Sequence, residues 1–325
     1  MQHPYEALLP DTVIDAVESL GLLSDQRIFP LNSYENRVYR VGLEDAAPCI
    51  VKFYRPERWS REAILEEHDF TFELQDRDIH VVAPMKIDGQ SLHAFNGFQF
   101  ALFPMQGGYA PELELPDTMY RIGLNIGRMH QVGASKHFEN RQDISITRMA
   151  QASRDFVLEN QFIPMSLETA FDTLTKDLVV KMQQIWDDNS TNFIRIHGDC
   201  HMGNILWRDD KAFFVDLDDC VMGPAIQDIW LLLSGDRPQQ ISLLSEFLEG
   251  YEEFYEFDPR QLRLIETLRT LRIMNYSAWL ARRWGDPAFP MHFPWFNSER
   301  YWSDHVLELR EQFAALDEQP LQLMP

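Results

Sequence analysis

The spacing of apolar residues changes near residue 105. Before it, short runs of β-branched and aromatic residues are cut by turn signals. After it, apolar positions recur every three or four residues. Val13, Ile14, Val17 and Leu20 follow Asp11 and Thr12 at helical spacing, so a first helix capped by Asp11 or Thr12 and stopped by Gly21 is predicted. Strands are predicted over 37–41 and Cys49–Phe53, separated by the turn-like GLEDAAP. Ser60 opens a helix running to about Gln75. Further strands are expected near 81–87, 91–95 and 98–103, with Asp88-Gly89 and Asn96-Gly97 as hairpin turns. With a further strand ahead of the loop that begins at Leu31, the first 105 residues read β-β-β-α-β-β-β, an antiparallel sheet with one inserted helix.

The loop PMQGGYAP at 104–111, with two glycines and two prolines, marks a boundary between residues 1–105 and 106–325. Beyond it Asp117 can cap a helix that carries Met119, Ile122, Ile126 and Met129 on one face. Helices are also predicted over 167–187, 229–233 and 262–284. One non-helical island, 193–219, interrupts them. The fold class is α+β.

Composition adds limits. The chain has 325 residues, of which 45% are apolar, enough for a sizeable core. The N-terminal MQHPYEALLPDTVIDAVESLG has no basic stretch leading into an apolar run, which argues against a secretory signal. No run approaches the roughly 18 apolar residues of a membrane span, so a cytoplasmic protein is expected. Cys49, Cys200 and Cys220 lack paired metal-ligand spacing and read as reduced thiols that fill space. With 29 basic and 51 acidic residues the net charge is −22. A chain this acidic is repelled by a phosphate backbone, which excludes nucleic acid as a main partner, and it suits a basic or cationic acceptor.

The chemistry concentrates in the island, IRIHGDCHMGNILWRDDKAFFVDLDD. Ile194–Ile196 reads as strand, 197–204 as a polar loop, 205–207 as strand, 208–211 as a turn, and 212–217 as a strand ending in acidic residues. Asp199, Asn204 and Asp216 thus fall on loops and strand ends around one hairpin. Phosphoryl transfer needs a carboxylate to orient the acceptor hydroxyl and take its proton. It also needs hard oxygen ligands to hold magnesium against the ATP phosphates. An Asp, an Asn five residues later and an Asp at the end of the next strand supply all three. His197 and His201 also form an HxxxH pair, but zinc pairs of that kind sit on a helix with a glutamate, and here the spacer is Gly-Asp-Cys.

HGDCHMGNILW followed by FVDLDD resembles the aminoglycoside phosphotransferase and choline kinase superfamily, a branch of the protein-kinase-like fold. The resemblance implies a two-lobed molecule, with a nucleotide-binding lobe at 1–105 and a catalytic and acceptor-binding lobe at 106–325. It implies Asp199 as base, Asn204 as a magnesium ligand and Asp216 as the principal one, with His197 bracing the loop. Asp228, in GPAIQDIW, resembles the family's helix-borne aspartate that supports this loop; a plain charge at a helix N-terminus is the other reading. The match departs from ordinary eukaryotic protein kinases: His-Gly-Asp stands for His-Arg-Asp, Asp-Leu-Asp for Asp-Phe-Gly, and no Ala-Pro-Glu is present.

On such a fold Lys52, in the apolar strand CIVKF, is expected to hold the ATP α- and β-phosphates with a glutamate of the following helix. Glu67 shares a face with Ala63, Ile64, Phe70, Thr71 and Leu74, whereas Glu66 shares one with Glu62, Asp69 and Glu73. Glu67 is therefore the inward partner. The loop LNSYENRVYRV should cover the phosphates without the usual glycines, with Ser33 placed to hydrogen-bond one. The linker 103–105 should present backbone groups, Met105 among them, to adenine, with Phe100 and Phe103 either around the base or in the core.

LNSYENRVY, VKFYRPERW, ILEEH, NIGRMHQ, HGDCHMGNILWRD, FVDLDD, GPAIQDIWLLL, AWLARRW, DPAFP and PLQL together resemble the bacterial stress response kinase A family. That resemblance implies a monomeric, cytoplasmic Ser/Thr protein kinase using ATP and Mg2+. Arg282, Arg283, Trp279, Trp284 and FPMHFPWF either shape the acceptor site or form the base of the lobe. A small-molecule kinase of the aminoglycoside, choline or homoserine type would share every catalytic residue named. A pseudokinase scaffold would have no need of Lys52, Asp199, Asn204 and Asp216 together.

Overall fold

The computed structural model describes residues 5–189 and 191–323. Residues 1–4, which open the stretch read for a signal, lie outside the described residues. α1 (Pro10–Glu18) buries Val13, Ile14 and Val17. Its cap differs from expectation: Leu9 occupies the cap position, Pro10 presets the first turn, and Asp11 and Thr12 lie inside the helix. Gly21 follows at φ 80°, where glycine meets no steric penalty.

β1 (Ser24–Leu31), β2 (Arg37–Leu43), β3 (Cys49–Phe53), β4 (His93–Phe95) and β5 (Phe98–Pro104) form one antiparallel sheet in the order 1-2-3-5-4. α2 (Arg61–Gln75) is inserted after β3, capped by Ser60, whose hydroxyl accepts from Ala63 N at 3.1 Å. Asn96 and Gly97 both take positive φ, 47° and 83°, as a two-residue hairpin demands. The strand expected at 81–87 does not form. Pro84 has no N–H to give to a ladder, and its neighbours bond in two directions: Val82 N donates to Phe214 O (3.0 Å) and Met85 N to Leu102 O (2.7 Å).

The remainder is helical: α3 (Thr118–Gly133), α4 (Ala152–Glu159), α5 (Met165–Asp188), α6 (Gln227–Trp230), α7 (Arg237–Tyr251), α8 (Ile265–Arg282), α9 (Ala288–His292) and α10 (Glu299–Ala315). Asp117 does not cap α3. It takes φ 63° and turns the chain into the helix without a side-chain hydrogen bond. Among the helices lie two small antiparallel pairs, β6 (Ile194–Ile196) with β9 (Val221–Gly223) and β7 (Ile205–Arg208) with β8 (Lys211–Phe214). The strand expected over 212–217 stops at Phe214, because Asp216 is left-handed at φ 60° and Leu217–Asp219 wind into a tight turn. The linker is stitched to this hairpin, Tyr109 and Trp207 exchanging both backbone bonds at 3.2 and 2.7 Å.

Met119, Ile122, Ile126 and Met129 are fully buried in the main core, and Val51, Phe53, Phe100 and Leu102 pack with Val13 and Val17 in a smaller one. Among the described residues no helix is long and apolar enough to cross a membrane. Three glycines set the approach of α3 to α7: a Cβ at Gly123 would lie 2.0 Å from Phe247 O, one at Gly127 2.4 Å from Tyr251 O, and one at Gly250 on α7 2.1 Å from Tyr120 O. Gly123→Ala is expected to destabilise the protein by about 1–3 kcal/mol, as overfilled contacts do. An unchanged denaturant midpoint would show that α7 retreats freely.

Candidate active site

Val51 and Phe53 face the α1 side of the sheet, so strand alternation aims Lys52 at the other face, toward α2. Its Nζ lies 2.9 Å from Asp216 Oδ1, 3.3 Å from Asp218 Oδ1 and 3.7 Å from Glu67 Oε1. Glu67 is the inward glutamate, as its helix face requires, but two aspartates stand closer to the lysine. Burial works against the ammonium charge, and the three carboxylates outweigh it, holding the Lys52 pKa well above its usual value. Burial lifts the Glu67 carboxyl to about 7 against the pull of Lys52. Burial also opposes ionisation of Asp218, but Arg58 and Lys52 prevail and hold it well below the usual carboxylate range.

Asp218 is the hub the sequence pattern did not single out. It accepts from Asn36 Nδ2 at 3.0 Å and pairs with Arg58, which also reaches Asp219. Asn36 in turn accepts from Arg55 N at 3.1 Å. The loop between β1 and β2 is thus tied to the segment bearing Asp216. Its other anchor is Glu35, which takes Trp279 Nε1 and the Arg283 guanidinium, each at 2.6 Å, from α8 and the turn after it. Ser33 sits half-buried in this loop. The expected cluster of Trp279, Arg282, Arg283 and Trp284 is therefore divided. Trp279 and Arg283 clasp Glu35, whereas Trp284 packs on Phe296 with ring centroids 5.1 Å apart.

The 197–204 loop has little regular structure and is fixed by side chains. Asp228 Oδ2 accepts from His197 N at 2.7 Å and its Oδ1 from Gly198 N at 2.8 Å. His130 on α3 faces the same carboxylate at 3.1 Å. Asp228 is therefore a support of the loop rather than a plain helix-end charge. His197 bridges from Nε2 to Val215 O at 2.9 Å, joining this loop to the residue before Asp216. Asn204 Nδ2 donates to Asp199 O at 3.0 Å, which leaves its side-chain oxygen as an acceptor. Asp199 meets Arg272 Nη1 at 2.6 Å and His201 Nε2 at 3.5 Å. Burial opposes its charge, but the His201 hydrogen bond and Arg272 keep the carboxyl well below the usual range. His201 turns to Asp199 and His197 to Val215, so the two do not converge as a metal pair.

Arg141 gave no sequence signal. Its guanidinium donates to the carbonyls of Ala63 on α2 and of Asp218 and Cys220 beside the acidic segment. Glu66, expected on a solvated face, accepts from the backbone N of Glu139, Asn140 and Arg141 at 2.7, 2.9 and 3.1 Å, so it holds the loop that delivers Arg141. Phe100 is a core residue, stacked on Phe53 at 5.3 Å. Phe103 packs with Tyr54 and Ile64, and Met105 is exposed beyond the end of β5. Cys200 and Cys220 are buried, and burial pushes both thiols up, Cys220 to about 12. Among the described residues no three His, Cys, Asp or Glu side chains form a metal cage by themselves.

Residues 27–265 match the APH family, described as a phosphotransferase enzyme family. The chain is 46% identical to stress response kinase A of Escherichia coli O157:H7, covering 99% of this chain and 97% of that one. It is 44% identical to the serine/threonine protein kinase RdoA of Salmonella typhimurium with the same coverage. Among solved structures, it is similar to the amicoumacin kinase hAmiN in complex with AMP-PNP, Ca2+ and Ami (TM-score 0.72, 21% identity, 95% of this chain and 94% of that one). It is also similar to a microcompartment-associated aminopropanol kinase (TM-score 0.70, 16% identity, 96% and 100%).

One residue beside Glu67 couples this region to pH. His68 is fully buried between the Tyr54 hydroxyl, 2.8 Å from Nε2, and the Ser91 hydroxyl, 2.9 Å from Nδ1. Burial, with Lys52 and Arg141 adding to it, pushes its pKa down from 6.5 to about 3. Below pH 6.5 the unfolded chain takes a proton that the folded one refuses until about 3, so stability is lost as pH falls through that window. The loss is up to about 1.4 kcal/mol per pH unit. In urea titrations His68→Gln should flatten the slope of stability against pH across this range. An unaltered slope would refute the assignment.

Proposed function

This chain belongs to the phosphotransferase enzyme family and, within it, to the stress response kinase A proteins, and on that premise we propose that it moves the γ-phosphoryl group of ATP to a serine or threonine hydroxyl of a protein. The protein acceptor is suggested by the name of the Salmonella relative. The reading rests on one observation above others: Lys52 from β3 meets Asp216 and Asp218, and His197 ties the residue before Asp216 to the loop that carries Asp199.

In this reading the sheet-bearing residues 1–105 hold the nucleotide and 106–325 carry catalysis and the acceptor. Lys52, oriented by Glu67, binds the α- and β-phosphates. The loop of Ser33, pinned by Glu35 and Asn36, covers them, and the backbone near Met105 meets adenine. The donor set suits a hard divalent cation. The Asp216 side chain is 56% exposed, and the carboxylates around Lys52 outnumber its single charge. Such an ion takes few protein ligands when phosphates complete its shell. Asp216 and the Asn204 oxygen would hold Mg2+, which would neutralise charge on the phosphates.

Asp199 accepts the proton of the acceptor hydroxyl as its oxygen bonds to the γ-phosphorus and the bond to the β–γ bridging oxygen breaks, releasing ADP. His197 and Asp228 keep that carboxylate in place.

Purified protein with γ-labelled ATP and Mg2+ should label a generic protein substrate. Label confined to amino sugars or alcohols would overturn the protein acceptor. Asp199→Ala should lower transfer about 10²–10⁴-fold, the usual weight of a general base, with nucleotide affinity largely kept. Asp216→Ala should abolish transfer by weakening metal-dependent nucleotide binding. If both variants lost nucleotide affinity alike, the division of roles would be wrong.

A further inference from the structure

Arg272 lies on α8, and its Nη1 donates to Asp199 Oδ1 at 2.6 Å while its side chain stays 44% exposed. One oxygen of the base is therefore already held by a guanidinium. A carboxylate has about four acceptor sites, so a hydroxyl can share Asp199 with Arg272, and the exposed face of the guanidinium keeps N–H donors for a second anion. The chain as a whole carries −22, yet the group beside its base is a cation with one face open to solvent.

A partly exposed aromatic row leads away from this point. Tyr276, one helical turn after Arg272, is exposed. It stacks on the half-buried Trp279 at 5.7 Å, Trp279 meets the buried Phe293 at 5.9 Å, and Phe293 meets the exposed Tyr34 at 4.9 Å. The row therefore surfaces at Tyr276 and Tyr34, and Tyr34 belongs to the loop proposed to cover the phosphates. An extended chain whose side chains meet these two tyrosines fits the site better than a compact polycation, which Arg272 would repel.

We infer that Arg272 is a specificity-determining residue that selects acceptors carrying an anionic group beside the reacting hydroxyl, an acidic residue next to the serine or threonine of a peptide that passes the exposed Tyr276. The inference rests on Asp199 as the base. Arg272 stays bonded to Oδ1 and offers its exposed N–H groups to the acceptor's carboxylate, which holds the hydroxyl beside Asp199.

The test compares initial rates on serine peptides that differ only in an adjacent Asp, Ala or Lys, for wild type, Arg272→Lys and Arg272→Glu. Wild type should favour the Asp peptide over the Lys peptide by about tenfold or more, the size of one charge-assisted contact. Arg272→Lys should retain the order of preference, and Arg272→Glu should reverse it. Equal wild-type rates on all three peptides would overturn the inference. So would an equal fall on all three in Arg272→Glu, which would assign Arg272 to the γ-phosphoryl group instead. If wild type labels no peptide but does label small alcohols, the protein acceptor fails. The anion preference is then read in the same assay from hydroxy acids against amino alcohols, where equal rates overturn it.

Discussion

The buried ammonium of Lys52 governs the architecture of the cleft. A charge taken out of water is tolerated only when opposite charges surround it at close range. Here three carboxylates come from two elements: Glu67 from α2, and Asp216 and Asp218 from the segment after β8. Sheet, inserted helix and acidic segment are thereby held in one arrangement. Removing any single carboxylate leaves the others in excess or in deficit, so this cluster can vary only as a unit. Arg58 and Arg141 extend the same logic outward. Each is a cation that binds the acidic segment, one through side chains and the other through carbonyls.

The opposite wall follows a different rule. The 197–204 loop has few backbone bonds of its own, so its shape is imposed by Asp228 and His197, which spend their polar atoms on main-chain groups. His130 links Asp228 to α3, whose glycines seat it against α7. The position of Asp199 is thus set by helix–helix contact as well as by local hydrogen bonds.

How much of this was legible in the sequence depended on distance along the chain. Glu67 could be separated from Glu66 because helix periodicity is local. Asp199, Asn204 and Asp216 could be grouped because 18 positions contain them all. Asn36, Arg58, Arg141 and Arg272 could not be placed, since each acts on a residue more than 70 positions away. Asp218 looked like one more acid in a run, and only its burial and its bonds to Lys52 and Asn36 distinguish it from Asp219. The local errors have local causes: Pro84 in a presumed strand, Pro10 starting the helix ahead of the cap expected at Asp11 or Thr12, and left-handed turns at Asp117 and Asp216, a conformation aspartate tolerates but does not require.

The two cysteines that neighbour the reacting groups in sequence have a bearing on oxidation. Cys200 and Cys220 follow Asp199 and Asp219 directly, yet both are buried and both thiols titrate far above neutral pH. Peroxide attacks the thiolate, and almost none exists here. Burial thus withholds both the access and the ionised form that an oxidant needs, so Cys200 and Cys220 fit the role of packed sulfur beside the acidic segment and the 197–204 loop rather than that of a redox sensor.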